Sequence, residues 1–188
     1  MPGRIFGPCL RAGEVPRALI LGGASCLWDD ADRAERLSTY DAIFAVNNAI
    51  IDWPGRLDYA VSLHQEPTKH YPGLVKAVEK RRDKHRPQIW SHRPGKGVDR
   101  TTSDWGGSSG LFAVRIALEE GFTRIVLAGV PMTVEGEHYH AKGNWTACRN
   151  YRKQWIAHKA HLDGRVKSLS GWTKELLGEP TSDWINSN

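Results

Sequence analysis

The sequence predicts an α/β fold with a mainly parallel central sheet and helices on both faces. Short apolar runs alternate along the chain with stretches of helical periodicity. The runs are nearly continuous in apolar residues rather than alternating, which is typical of strands covered on both faces. Alternation of strands and helices favours parallel pairing through right-handed crossovers. We therefore expect one Rossmann-like domain that spans residues 1–188.

Six apolar runs are the strands that we expect. In chain order they cover residues 18–21, 41–46, 58–63, 88–90, 124–128 and 165–169. A glycine, asparagine, serine or histidine directly follows each run, and such residues are typical of the loops in which strands end.

Four stretches between the runs are predicted helices, at residues 28–37, 68–86, 109–120 and 145–162. The third is mostly apolar, so we expect it to be buried, with Gly121 as its stop. The second is long and basic, with Leu74, Val75 and Val78 as its expected buried stripe. Residues 67–104 are the range in which a flap or insertion fits the sequence most easily.

Composition excludes several classes of protein. No apolar run approaches the roughly 20 residues that cross a bilayer, and the first ten residues hold no continuous apolar segment of a secretory signal. The three cysteines are widely spaced, which indicates reduced thiols and a cytoplasmic protein, and the lack of a long apolar run predicts no membrane contact. The net charge of +5 favours an anionic partner. The sequence has no HExxH motif, so the commonest zinc hydrolases are disfavoured.

Polar residues gather directly after the predicted strands, at the edge where open parallel sheets bind ligands. Polar strand ends occur in any α/β protein, but paired asparagines and repeated histidines favour a functional edge. The candidate binding residues are Gly22, Gly23, Ser25, Asn47, Asn48, Arg93, Ser108, Ser109 and Gly110.

Two of these groups are glycine-serine turns that precede predicted helices, at residues 22–25 and 105–110. Glycine lets a backbone approach a phosphate or sugar, and a helix N-terminus supplies amides and a positive dipole end. The second turn suits a nucleotide phosphate or ribose. Both turns also have a purely structural interpretation. The first can be a simple tight turn, and the second can be an N-cap serine with glycines that allow close packing. Neither turn is GxGxxG, so dinucleotide binding is unsupported.

Histidines in the predicted loops are candidate catalytic residues. A loop histidine can act as general base or acid, or as a cation for a leaving phosphate, although it can also be merely solvated. Two of them stand two residues apart beside two glutamates, but no further ligand has a recognisable spacing, so we predict no metal site. The four candidates are His64, His92, His138 and His140.

Three segments resemble the bacterial sialyltransferases. In residues 108–129 a Ser-Gly opens an apolar helix that ends in Gly-aromatic, and a strand ending in glycine follows. This pattern is similar to that of the archaeal hydroxymethylpterin diphosphokinase-like proteins, which share a Rossmann-type core. Residues 22–25 resemble their opening Gly-x-Gly-x-Ser turn, and residues 41–48 resemble their second strand, which ends in asparagine. The chain also resembles bacteriophage proteins, which implies no function.

The resemblance to sialyltransferases implies a donor nucleotide held across the sheet edge. In that family the matching positions contact the cytidine nucleotide, and by match they are Ser25, Asn47 and Ser109, with Ser108 close by. A late histidine serves as base there, which by match is His138 or His140. This chain departs from the pattern after its 124–128 run, where Pro131 stands and relatives commonly carry an aspartate. It is also shorter than most members, which leaves little material for an acceptor-binding lid.

Together these features predict a nucleotide-dependent transferase. A nucleotide-sugar or nucleoside triphosphate would lie over the two turns and Asn47, and one of the four histidines would deprotonate an acceptor hydroxyl or stabilise the leaving phosphate. Arg93, Lys96 and Arg100 would neutralise phosphate charge. Sialyl-type transfer would need no metal, whereas diphosphoryl transfer would require Mg²⁺.

Two alternatives stay open at this stage. The first is a non-catalytic protein that binds a nucleotide or nucleic acid, for which the basic run at residues 80–86 offers a surface. The second is hydrolysis of a nucleotide-linked substrate, with water in place of the acceptor.

Overall fold

The computed structural model describes residues 15–83, 85–134, 138–139, 143 and 145–187. They contain a seven-stranded sheet in which every neighbouring pair is parallel, in the order β5-β4-β3-β2-β1-β6-β7. This confirms the predicted α/β fold. The strands are β1 (Arg17–Leu21), β2 (Ala42–Val46), β3 (Tyr59–Val61), β4 (Gln88–Ser91), β5 (Arg100–Thr101), β6 (Arg124–Ala128) and β7 (Val166–Ser168).

Helices cover both faces of this sheet, as predicted. They are α1 (Leu27–Leu37), α2 (Ala49–Asp52), α3 (Leu74–Glu79), α4 (Ser109–Glu119), α5 (Cys148–Ala157), α6 (Lys159–Leu162), α7 (Gly171–Leu177) and α8 (Ser182–Asn186). Buried residues of α4 to α7 join one core cluster, whereas those of α1, α2, α3 and α8 join a second. No described helix has both the length and the apolar character needed to span a membrane.

The central strand β1 shows why the apolar runs are continuous. Ala18 and Ile20 belong to the first core cluster, and Leu19 and Leu21 belong to the second. All four are fully buried. Because successive side chains of a strand point to opposite faces, a strand covered on both faces must be apolar at every position.

The order of the strands reverses at β1. From β1 the chain adds β2, β3, β4 and β5 outward on one side, and α4 then returns it to the other side of β1, where β6 pairs with it. In a doubly wound sheet, the loops that follow the strands at this reversal lead to opposite faces and leave a crevice between them.

The predicted helix at 68–86 is wrong in extent, because among the described residues of this range only Leu74–Glu79 are helical. Pro72 and Gly73 precede it, and Gly73 has a φ of 91° that an L side chain rarely adopts. A Cβ on Gly73 would also lie 2.6 Å from the carbonyl oxygen of Gln65. The apolar periodicity of the sequence therefore extends through Pro72 and Gly73, where the backbone is not helical.

The predicted helix at 145–162 is two helices. The first begins at Cys148 rather than Trp145, and the helix is interrupted at His158 (φ −98°, ψ 5°), after which α6 begins. The short elements β5, α2, α7 and α8 were not predicted. Residues 67–104, the range that suits a flap or insertion, contain α3, β4 and β5.

Candidate functional site

A cavity of about 300 Å³ opens at the carboxyl edge of the sheet, beyond the ends of β1, β2 and β6. Its volume is at the lower end of the range of small-molecule sites, about 300–1,000 Å³. It lies where the strand order reverses, the place at which doubly wound sheets bind ligands. Its lining comes from residues 22–24, 46–47, 63–64, 107–110 and 129–133, together with His138, Trp145 and Tyr151.

Eight of the predicted site residues line this cavity, namely Gly22, Gly23, Asn47, His64, Ser108, Ser109, Gly110 and His138. They follow four different strands, β1, β2, β3 and β6, or begin α4, so distant parts of the sequence converge here. Four others, Ser25, Asn48, His92 and Arg93, are not among the lining residues. His140 lies outside the described residues.

The turn after β1 is glycine because it packs directly against the loop after β6. The Gly22 amide donates to the Ala128 carbonyl (2.8 Å), and the Ala24 amide donates to that of Gly129 (3.1 Å). A Cβ on Gly22 would lie 2.2 Å from the Gly129 oxygen. A Cβ on Gly23 would lie 2.3 Å from Cε1 of His138, so the imidazole occupies the space that a side chain would need. Close packing thus accounts for both glycines.

The N-terminus of α4 forms another part of the lining. Ser108 is its N-cap, with Oγ accepting from the Leu111 amide (3.4 Å). The hydroxyl of Ser109 is turned to the neighbouring loop, where it accepts from the Leu63 amide (3.3 Å). The amides of Ser109 and Gly110 are among the first four of the helix, which lack intrahelical acceptors. This end of the helix can therefore hold an anion.

A buried serine that the sequence analysis did not select organises the loops after β2 and β3. The Ser62 hydroxyl donates to Oδ1 of Asn47 (2.6 Å) and accepts from the His64 amide (2.9 Å). Since Oδ1 of Asn47 accepts from Ser62, Nδ2 of Asn47 is the side-chain atom that can donate to a ligand, and it carries two hydrogens. Asn47 also has a φ of 54°, a left-handed conformation that asparagine tolerates better than most residues. A polar residue inside an apolar run was the only sequence signal for Ser62.

A buried carboxylate secures the end of β6. Asp30 on α1 is 2% exposed, and its Oδ2 accepts from the Gly129 amide (3.0 Å) and from the Ser170 hydroxyl (2.6 Å). Arg33, one turn further along α1, lies 3.6 Å from the other carboxylate oxygen. Asp30 thus acts behind the cavity wall, and it was not predicted because nothing in the sequence separates it from the two other aspartates of this amphipathic helix.

Further side chains hold the next residues of this wall. The Thr173 hydroxyl donates to the Val130 carbonyl (2.5 Å), and Nε of Arg152 donates to that of Met132 (2.8 Å). Met132 has a φ of 51°, which is strained for a residue with a side chain. Hydrogen bonding of these carbonyls fixes the conformation of the wall.

The two cavity histidines differ in their surroundings. His64 is exposed, whereas His138 is half-buried and lies beside Tyr139, with ring centroids 5.7 Å apart. Burial raises the pKa of Tyr139, and the nearby carboxylate of Asp52 raises that pKa further. Tyr139 is therefore a neutral neighbour of His138 at physiological pH.

The four predicted residues outside the lining have other surroundings. Ser25 is exposed in the turn before α1. Asn48 is 5% exposed and donates through Nδ2 to the His70 carbonyl (2.9 Å), which anchors the loop after β3. His92 and Arg93 follow β4, which β3 separates from β2.

The described residues contain no group of three histidine, cysteine, aspartate or glutamate side chains that could hold a metal ion. Comparisons of the chain with protein-family models, with curated proteins and with solved structures found no match. The geometry of the cavity is therefore the basis for the functional proposal.

Proposed function

We propose that this protein is a nucleotide-dependent transferase that binds its donor in the cavity at the strand reversal. The observation that carries the proposal is the convergence of the turn after β1, Asn47 and the N-terminus of α4 on one cavity of small-ligand size. The resemblance to sialyltransferases supports the same choice, because Asn47 and Ser109 are two of the residues that match nucleotide contacts there.

In this proposal the donor phosphate lies at the N-terminus of α4. The free amides of the first turn and the positive end of the helix dipole favour an anion there. Asn47 adds an amide nitrogen whose orientation is set by Ser62. These donors are held in place before the ligand arrives, which is the condition for stabilising charge that develops on a leaving phosphate.

The histidines supply the proton transfer. His64 or His138 accepts the proton of an acceptor hydroxyl as its oxygen attacks the transferred group. The bond between that group and the phosphate oxygen of the donor breaks, and the nucleotide leaves with the electron pair. The transferred group is a sugar in a glycosyl transfer and a diphosphoryl group in a diphosphotransfer.

Nucleic-acid binding has less support, because part of the basic run serves the fold. The Arg81 side chain is 3% exposed and donates to the carbonyls of Ile50 (2.7 Å) and Gly55 (2.9 Å). Arg86 pairs with Asp99 at 2.9 Å. The Arg81 guanidinium is therefore engaged within the domain, and the exposed Arg86 guanidinium is partly neutralised by Asp99.

The proposal is tested by nucleotide binding to the wild-type protein and to a charge variant of the N-cap. We expect nucleotides of at least one base to raise the melting temperature, since a ligand at a hundredfold its Kd stabilises a protein by about 2.7 kcal/mol. Ser108→Asp keeps an N-cap but places a carboxylate beside the proposed phosphate. It should lower the affinity at least about tenfold with little loss of stability.

Thr181→Asp is the matched control. Thr181 caps α8 through its hydroxyl (3.1 Å to the Trp184 amide) and does not line the cavity, so its replacement should leave the affinity unchanged. Release of free nucleotide from a bound donor on addition of hydroxyl acceptors separates a transferase from a binder. Failure of every cytidine, uridine, adenosine and guanosine nucleotide to bind the wild-type protein would refute the proposal.

A further inference from the structure

One exposed tryptophan lies in the cavity wall. Among the described residues, the large exposed hydrophobic side chains are Trp28 (40%), Trp145 (37%) and Ile156 (56%), and of these only Trp145 lines the cavity. An indole left open to solvent at the rim of a binding cavity offers a large apolar face to a ligand.

The backbone of Trp145 is fixed although its side chain is exposed. Its amide donates to the Val134 carbonyl (2.9 Å), and its own carbonyl accepts from the Cys148 amide (3.2 Å). Cys148 is fully buried and begins α5. Because the main chain is held on both sides, the indole can meet a ligand with little loss of backbone entropy.

Tyr151 adds a second ring to this wall. Its centroid lies 5.7 Å from that of Trp145, with an angle of 35° between the planes. Tyr151 is three residues after Cys148 and four before Trp155, so all three lie on one face of α5, and both of these neighbours are fully buried. Packing of α5 against the core therefore positions the tyrosine.

We propose that Trp145 and Tyr151 form the base-binding wall of the nucleotide site, with the planar base stacked on the indole. This inference rests on the proposed function. A nucleotide has an anionic end and a planar apolar end, and the cavity supplies a matching surface for each, the amides of α4 for the phosphate and the aromatic wall for the base.

The wall has a consequence for specificity. Every base has a π face, so stacking contributes affinity without choosing among bases. The loss of one stacked base corresponds to about a 5- to 150-fold change in affinity. We therefore expect the aromatic wall to set how tightly the nucleotide binds, and polar groups along the cavity to set which base is preferred.

The experiment compares ligands with and without a base. Calorimetry measures the Kd of the nucleoside 5′-monophosphates and of ribose 5-phosphate for the wild type, Trp145→Ala and Trp145→Phe. We expect Trp145→Ala to weaken the monophosphates about 5- to 150-fold while ribose 5-phosphate is unchanged. Trp145→Phe should recover part of the loss. Trp28→Ala removes an indole of similar exposure outside the cavity and should leave both affinities unchanged.

The outcomes separate this inference from the proposed function. Equal loss of monophosphate and ribose 5-phosphate binding in Trp145→Ala would overturn the stacking role, because the residue would then act on the sugar-phosphate or on the fold. Unchanged monophosphate binding in Trp145→Ala would overturn it too, while leaving the nucleotide site in place. If the wild type binds no nucleotide, the proposed function fails and the inference fails with it.

Discussion

The carboxyl edge of the sheet has two regions that look alike in sequence and differ in structure. The first, here called the switch edge, comprises residues 22–24 and 129–133 with Asn47 and the N-terminus of α4. The second, the outer edge, comprises residues 65–73 and 92–99, which follow β3 and β4. Both are rich in glycine and polar residues. Residues of the switch edge line the central cavity, and those of the outer edge do not.

The two edges are held together by different contacts. At the switch edge, main-chain hydrogen bonds join the loops directly, and Asp30 supports them from the buried side. At the outer edge, the flexible side chain of Gln65 reaches across, and its Nε2 donates to the Arg93 carbonyl. Lys69, Arg93 and Lys96 there are exposed. Where the strand order reverses, the loops thus diverge to opposite faces and leave a cavity between them. Where successive strands are added in one direction, as at β3 and β4, the loops lie side by side and form a polar surface.

Adding one methyl group at each edge tests this difference and has the largest expected effect. Gly22→Ala would place a Cβ 2.2 Å from the Gly129 carbonyl oxygen, a main-chain atom that cannot move aside without opening the sheet edge. We expect the free energy of unfolding to fall by about 3 kcal/mol. Chemical denaturation measures it.

Gly95→Ala is the matched change at the outer edge. Its Cβ would lie 2.7 Å from Oε1 of Gln65, the far end of a flexible side chain that can rotate away. We expect a loss of less than about 1 kcal/mol. An equal loss in Gly22→Ala and Gly95→Ala would contradict the contrast between a rigid and an adaptable edge.

Removal of the carboxylate behind the switch edge should have the next largest effect. Asp30→Ala leaves the Gly129 amide and the Ser170 hydroxyl without their charged acceptor. We expect the free energy of unfolding to fall by about 1.5–3 kcal/mol. Glu179→Ala, which removes the exposed partner of Arg33, should cost at most about 1 kcal/mol. If the two variants lose equal stability, the buried Asp30 contributes no more to the stability of the switch edge than an exposed ion pair does.

The fold was predictable from sequence wherever burial leaves a local pattern. Strands covered on both faces are continuous apolar runs, and each of the six predicted runs overlaps a strand. The missed strand β5 (Arg100–Thr101) is exposed at the sheet edge, so burial imposes no pattern on it. The extent of the 68–86 helix was wrong because its apolar periodicity continues past Pro72 and Gly73, although Gly73 has a φ of 91°, which is not helical.

The cavity was predictable only in part, for a related reason. Glycines, asparagines and serines at strand ends and helix starts are marked by their place in the chain, which identified Gly22, Asn47 and Ser108. Asp30 acts on Gly129, 99 residues away, and Arg152 acts on Met132, 20 residues away. Such supporting roles depend on the tertiary fold and have no local signature.

Two buried serines, one after β3 and one in β4, allow a further test of the switch edge, with the smallest expected effect on stability. Ser62 follows β3 and connects to Asn47 and His64 of the cavity, whereas Ser91 of β4 donates to the Ser62 carbonyl (3.0 Å) and touches neither. Both are fully buried, so Ser62→Ala and Ser91→Ala should each lower the free energy of unfolding by about 1 kcal/mol.

Only Ser62→Ala should also weaken nucleotide binding, by about 5- to 10-fold, because it releases the Asn47 amide from its fixed orientation. Calorimetric titration of both variants with the nucleoside monophosphate that binds the wild type best measures this difference. Weakened binding in both variants would mean that any loss of sheet stability reaches the cavity. Unchanged binding in Ser62→Ala would mean that Asn47 does not contact the ligand. Weakened nucleotide binding in Ser62→Ala alone is expected only if the switch edge binds the ligand. Better packing of its loops would not by itself produce this difference between the two variants.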